Sequence, residues 1–258
     1  MQMMRGFPPT ANHQVLLANW RESDIARWSF NHLRQLLPTA PMRPANLPAA
    51  LAAAPQNLDD LSFLDACGNR QQLGAFLAES QSDCFAVMKN GKLVYDWFGG
   101  FGAPDRQHIV FSITKSMASL LAGVLVGAGV IDLQRQITNY LPELGNSAYA
   151  GATIRHLLDM QIASGFREDY LDTDGVFMAY RRASAWNPTE EGDRNEGLRD
   201  FLTKMPVSDA AHGTRHHYCS PHSDVLGWVI ERSGGASFGE LFSRHILAPC
   251  GAVHEAYI

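Results

Sequence analysis

Apolar and polar positions alternate along the chain with periods that change from segment to segment, and the changes predict its elements. Cys84-Phe-Ala-Val-Met-Lys and Lys92-Leu-Val-Tyr-Asp-Trp-Phe are two apolar-rich runs separated by Asn90-Gly91. They predict a β-hairpin, because both central residues of its tight turn need positive φ and Asn-Gly tolerates that best. A Gly-rich loop and a short extended piece at His108–Phe111 follow, and Ser112 then opens a long apolar helix. Gly127 or Gly129 is placed to end it. Thr153 is a cap for a helix beginning Ile-Arg-His-Leu-Leu. Further helices are expected over Glu196–Lys204, Ser223–Arg232 and Phe238–Ile246, with irregular chain at Ser164–Asp174 and Trp186–Asn195.

The first 70 residues read differently. Trp20, Trp28, Phe30, Leu33 and Leu36 lie at roughly helical spacing, predicting a short amphipathic helix over Asp24–Leu37. Pro38, Pro41, Pro44 and Pro48 then enforce an extended crossing. The expected organisation is α/β (α+β). Residues 1–70 form an arm packed on the body, and 71–131 the first part of the α/β domain. Residues 132–245 form a mainly helical insert, and 246–258 return to the domain, where Ala256-Tyr-Ile begins a strand.

Composition narrows the partners. At 46% hydrophobic over 258 residues the chain can bury a substantial core. A net charge of −5 with dispersed Lys and Arg gives no electrostatic case for nucleic acid or an anionic membrane. A small neutral or zwitterionic ligand is the natural alternative. Met117–Ile131, the most apolar stretch, is short for a membrane span and reads as a buried helix. MQMMRGFPPTANHQ at the N-terminus lacks the apolar run of a secretory signal, and Cys67, Cys84, Cys219 and Cys250 show no C-x-x-C pair. A cytoplasmic protein with reduced thiols is expected, with no cofactor.

The chemistry centres on Ser112-Ile-Thr-Lys115. Residues three apart in a helix share a face one turn apart, which brings an amine within reach of a hydroxyl. The helix N-terminus adds roughly half a positive charge, which stabilises an alkoxide and an oxyanion. S-x-x-K alone arises by chance about once in a chain of this size. Its setting, after a hairpin and at the head of an apolar helix, gives it weight. Tyr218, in His217-Tyr-Cys-Ser before the helix carrying Leu226-Gly-Trp-Val-Ile-Glu, is the second candidate, a phenol able to pair with Lys115.

Together, Ser112-x-x-Lys115, the Tyr218-Cys-Ser220 loop about 100 residues later and Leu226-Gly-Trp-Val-Ile-Glu-Arg resemble the class C β-lactamases and the penicillin-recognising fold. They are more similar still to the esterase and 6-aminohexanoate-dimer (nylon-oligomer) hydrolase branch, as are Gly6-Phe-Pro-Pro and Trp28-Ser-Phe-Asn-His-Leu-Arg. The resemblance implies a β-lactamase/transpeptidase-like fold, an antiparallel sheet flanked by helices. It implies Ser112 as nucleophile, Lys115 as general base, Tyr218 as proton relay and the Ser112 N–H as one oxyanion donor. Tyr170, in Phe166-Arg-Glu-Asp-Tyr, matches a loop tyrosine that contacts the substrate amide.

Two departures from the pattern stand out. Ser220 occupies the place where lactamases keep an Asn that holds the substrate amide, and its shorter hydroxyl offers fewer donors. The third motif, Lys-Thr-Gly or a His/Lys-x-Gly variant on a strand, lies beyond Ile258, which leads to the expectation of a truncated or split protein. Its missing strands would then come from a second polypeptide, or the chain would form a homodimer. Rival features read as ordinary structure. His212, His216, His217 and His222 lack zinc spacing and are expected in a solvated loop, so no metal is expected. Gly99-Gly-Phe-Gly102 lacks the Lys-Ser/Thr of a phosphate loop, and Cys219 reads as packing. Two functions follow: a hydrolase of small esters or linear amides through a Ser112 acyl-enzyme, or a non-catalytic protein that keeps only the binding surface.

Overall fold

The computed structural model describes residues 3–189, 192 and 197–258. In chain order its elements are α1 (Ser23–Ser29), β1 (Pro41–Met42), β2 (Ser62–Leu64), β3 (Arg70–Gln72), α2 (Leu73–Glu79), β4 (Cys84–Lys89), β5 (Lys92–Phe98), α3 (Ile113–Gly127), α4 (Ile154–Leu158), α5 (Val176–Ala183), α6 (Gly197–Thr203), α7 (Ser220–Gly234), α8 (Phe238–Phe242) and β6 (Ala256–Tyr257). The contacts divide into two units. One comprises Met1–Leu36, Asn46–Ile109 and Gly251–His254; the other comprises Leu37–Ala45, Val110–Cys250 and Glu255–Ile258.

In the first unit the β4–β5 hairpin is antiparallel, with Cys84 opposite Phe98 and a register shift at Val87/Met88. Asn90 (φ 53°) and Gly91 (φ 72°) both take the left-handed conformation that the turn demands. Leu73, Leu77 and Tyr95 bury one face of the hairpin against α2, with Phe63, Val87 and Trp97 around them. The helix expected over Asp24–Leu37 is broken: α1 ends at Ser29 and a 3-10 turn covers Leu33–Gln35. Tertiary bonds hold the chain away from helix continuation here: the Ser29 hydroxyl donates to the Trp20 carbonyl, nine residues back, and the Asn31 amide to Asp83, 52 residues on.

The second unit is mainly helical. α3 and α7 lie against each other around a core that includes Leu121, Leu125, Ile154, Phe166, Val225 and Val229. The sequence pattern predicts α3 as a buried helix, but only Ala118, Leu121, Ala122 and Leu125 are buried. Their spacing of three and four residues makes a single stripe. Ile113, Met117 and Leu120 on the other side are exposed. α3 stops at Gly127, and Gly129 turns the chain at φ 71°. Thr153 caps α4 as expected, accepting from the His156 N–H.

α7 starts at Ser220, three residues before the expected Ser223, because Pro221 at its first turn gives up an N–H that needs no partner there. The expected Phe238–Ile246 helix is α8 followed by a π-type turn at Ser243–Leu247. The first residue of the helix expected over Glu196–Lys204 lies outside the described residues, and α6 covers Gly197–Thr203. β1 pairs with β6, antiparallel. Among the described residues no helix is long and apolar enough to cross a membrane.

Candidate active site

Ser112 stands at the N-terminal boundary of α3 with its side chain free of any capping bond, and the residue before it, Phe111, sits at φ +43°. A non-glycine residue in that region costs on the order of 1 kcal/mol, and such strain concentrates where a side chain must be held at one angle. Lys115 lies one turn on, and its Nζ donates to Ser112 Oγ at 3.0 Å. Tyr218, on the segment entering α7, donates its hydroxyl to the same oxygen at 2.8 Å. Lys115 Nζ also stands 5.3 Å from the Tyr218 ring centroid. An amine and a phenol therefore converge on the Ser112 hydroxyl oxygen, the phenol from 106 residues along the chain. Their cleft measures about 470 Å³ and is lined also by Met160, His222 and Leu226, a size typical of small-molecule sites.

A second layer stands behind them, and Glu168 organises it. One oxygen of its carboxylate accepts the Ser220 N–H at 2.7 Å; the other accepts the Ser220 hydroxyl at 2.9 Å and the Tyr170 phenol. Ser220 and Tyr170 are thus tied to one anion, which fixes the start of α7 two residues beyond Tyr218. The Tyr170 phenol is pushed up to about 12, first by loss of water around it and then by its bond to Glu168. Its ring is 63% exposed and packs edge-on against Phe177. Asp224 on α7 accepts from the Tyr180 phenol at 2.7 Å. Removal from water raises the Asp224 carboxyl to about 6, against the pull of Tyr180 and of the Lys115 charge.

No sequence motif marked Glu168, Tyr180 or Asp224. Ser220 and Glu168 are 52 positions apart and Tyr180 and Asp224 are 44 apart, so local spacing carried no signal. The only hint was Glu168 lying two residues before Tyr170.

The histidines expected in a solvated loop separate. His222 is 0% exposed, inside the first turn of α7, with Nδ1 3.3 Å from the Tyr149 hydroxyl. Burial pushes it down to about 3, so it is a neutral imidazole. His212 instead binds the Ala163 N–H and the Ala150 carbonyl. Among the described residues no three His, Cys, Asp or Glu side chains gather as a metal site. Cys219 is fully buried, and burial raises its thiol far above the ordinary range, which disfavours the thiolate that a nucleophile needs.

Comparison with known proteins agrees with this architecture. The 6-aminohexanoate-dimer hydrolase of Paenarthrobacter ureafaciens is 31% identical over 258 residues, covering 98% of this chain and 62% of the relative. Esterase EstB of Burkholderia gladioli is 29% identical over 179 residues, covering 64% of this chain and 44% of its own. The solved structure of a Bacillus anthracis protein assigned as a 6-aminohexanoate-dimer hydrolase superposes with a TM-score of 0.86 at 25% identity. That match covers 96% of this chain and 65% of the other. The chain thus spans about three-fifths of the length of the 6-aminohexanoate-dimer hydrolase it matches. The fold is β-lactamase/transpeptidase-like, built of helices and small antiparallel sheets. With the Beta-lactamase family model matching residues 70–256, the chain belongs to that family.

Proposed function

We propose that the chain carries the catalytic serine of a hydrolase that cleaves small esters or linear amides through an acyl-enzyme on Ser112. One observation carries the proposal: the Ser112 oxygen sits 2.8 Å from the Tyr218 phenol and 3.0 Å from the Lys115 amine. Both lie within proton-transfer range. The chemistry runs in two halves. Ser112 Oγ bonds to the substrate carbonyl carbon as its proton passes to Lys115. The tetrahedral oxyanion is stabilised by the α3 N-terminus, with the Ser112 N–H as one donor. Tyr218 relays the proton to the departing alcohol or amine as the carbon–heteroatom bond breaks. Water then attacks the acyl-serine, yielding the acid and restoring the Ser112 hydroxyl.

Tyr170 and Ser220 are not among the residues that line the cleft; they are proposed as the groups that meet the substrate amide. Both hydroxyls donate to Glu168, which leaves their lone pairs able to accept from a substrate amide N–H. Relatives named as a 6-aminohexanoate-dimer hydrolase and an esterase support this pair of bond types. The partner is a small molecule, with neither nucleic acid nor membrane involved, and the setting is cytoplasmic.

A fluorophosphonate probe tests the proposal and its non-catalytic rival together. Labelling of the chain, abolished in Ser112→Ala and reduced at least a hundredfold in Lys115→Ala, is the expected result. A folded chain that stays unlabelled, or a Lys115→Ala variant reacting at the native rate, would overturn it.

A further inference from the structure

A second cavity lies in the same unit as the catalytic cleft. It measures about 490 Å³, and Arg167, Arg215, Ser164, Ser208, Thr214 and His217 are among its walls. The two cavities share a partition. Met160 faces the cleft while Gln161 faces the pocket, and Tyr218 faces the cleft while His217 faces the pocket. The two segments of that partition are joined by the His217 N–H donating to the Met160 carbonyl at 2.7 Å.

The pocket holds polar capacity that the fold leaves unused. Arg167 and Arg215 make no hydrogen bond or ion pair with any described residue, although the chain is acidic overall and ion pairs hold Arg27, Arg155, Arg199 and Arg232. The Ser164 hydroxyl is shielded from water and has no partner. Burying a hydroxyl without a hydrogen bond costs about 1–3 kcal/mol, so a folded protein keeps one where something else meets it. Thr214 and Ser208 are already engaged, with the Ala211 carbonyl and the Ala210 N–H. The free donors therefore include two guanidinium forks, the buried Ser164 hydroxyl and the Ser208 hydroxyl, which only accepts in its bond with the Ala210 N–H, and no carboxylate among the described residues lines the pocket to repel an anion.

We propose that this pocket binds a small organic carboxylate. Planar guanidinium forks match a planar carboxylate in two-point contact. The remaining walls, with Ile162, Ala163 and Phe166, suit an aliphatic tail. The site is independent of whether Ser112 reacts, because its residues lie on the far side of the partition.

Calorimetric titration of the chain at low salt with sodium hexanoate, hexanamide and inorganic phosphate tests the assignment. Hexanoate binds one-to-one and saturably, while hexanamide and phosphate bind at least tenfold more weakly. Arg167→Gln and Arg215→Gln each weaken hexanoate about tenfold, the scale of one charge-assisted contact. Melting curves of both variants superimpose on the parent, since both side chains are exposed and unpaired. Absence of saturable hexanoate binding, parent-like hexanoate affinity in either glutamine variant, or tighter binding of hexanamide or phosphate would each overturn it.

Discussion

Replacing Tyr218 by Phe removes one oxygen and leaves the ring in place, so it isolates the phenol's part in the reaction. The deleted group donates to Ser112 Oγ at 2.8 Å, and Tyr218 is 42% exposed. An exposed hydroxyl with water available contributes little to folding, so stability should change by less than about 0.5 kcal/mol. The kinetic effect is larger. Positioned acid–base groups contribute about 10²–10⁴-fold, or roughly 2.7–5.4 kcal/mol of barrier. Lys115 remains 3.0 Å from the nucleophile and can still take its proton, so acylation by an activated ester should slow least. A p-nitrophenolate leaves without protonation, whereas an alkoxide or amine cannot. Stopped-flow acylation with p-nitrophenyl acetate, compared with turnover of ethyl acetate and a linear amide, should therefore show a defect about tenfold for the first and a hundredfold or more for the others. Equal defects across all three leaving groups, or native rates throughout, would refute the relay.

Glu168→Gln replaces one of two acceptor oxygens with a donor that faces the Ser220 and Tyr170 donors. It should cost about 1–3 kcal/mol in urea unfolding, and an unchanged midpoint would show that Glu168 does not organise the start of α7. His222 supplies a pH dependence with a definite sign. Its folded value, about 3, lies below its unfolded value of 6.5. The neutral ring therefore contributes stability that is fully present above pH 6.5 and is lost as pH falls towards 3. The loss amounts to as much as about 5 kcal/mol over that range. Unfolding curves at pH 7 and pH 4 should show a difference that shrinks in His222→Gln; the same difference in both proteins would sink the assignment.

Local rules made part of this protein readable from its residues. The Asn90-Gly91 turn, the Thr153 cap and the three-residue interval from Ser112 to Lys115 each depend on neighbours within one turn of backbone, and each stands in the structure as expected. Tyr218 was named from its place in a motif, but its meeting with Ser112 joins positions 106 apart. Only the packing of α7 on α3 decides that distance. Tertiary packing likewise placed Glu168 against Ser220 and buried His222 beside Tyr149, and within the other unit the Asn31–Asp83 bond accompanies the end of the first helix at Ser29. Sequence periodicity says which residues are apolar but not which partner covers them, so α3 read as wholly buried and is buried along one stripe. Contacts between distant segments are set by how the elements close around a shared core, and that closure is a property of the whole chain.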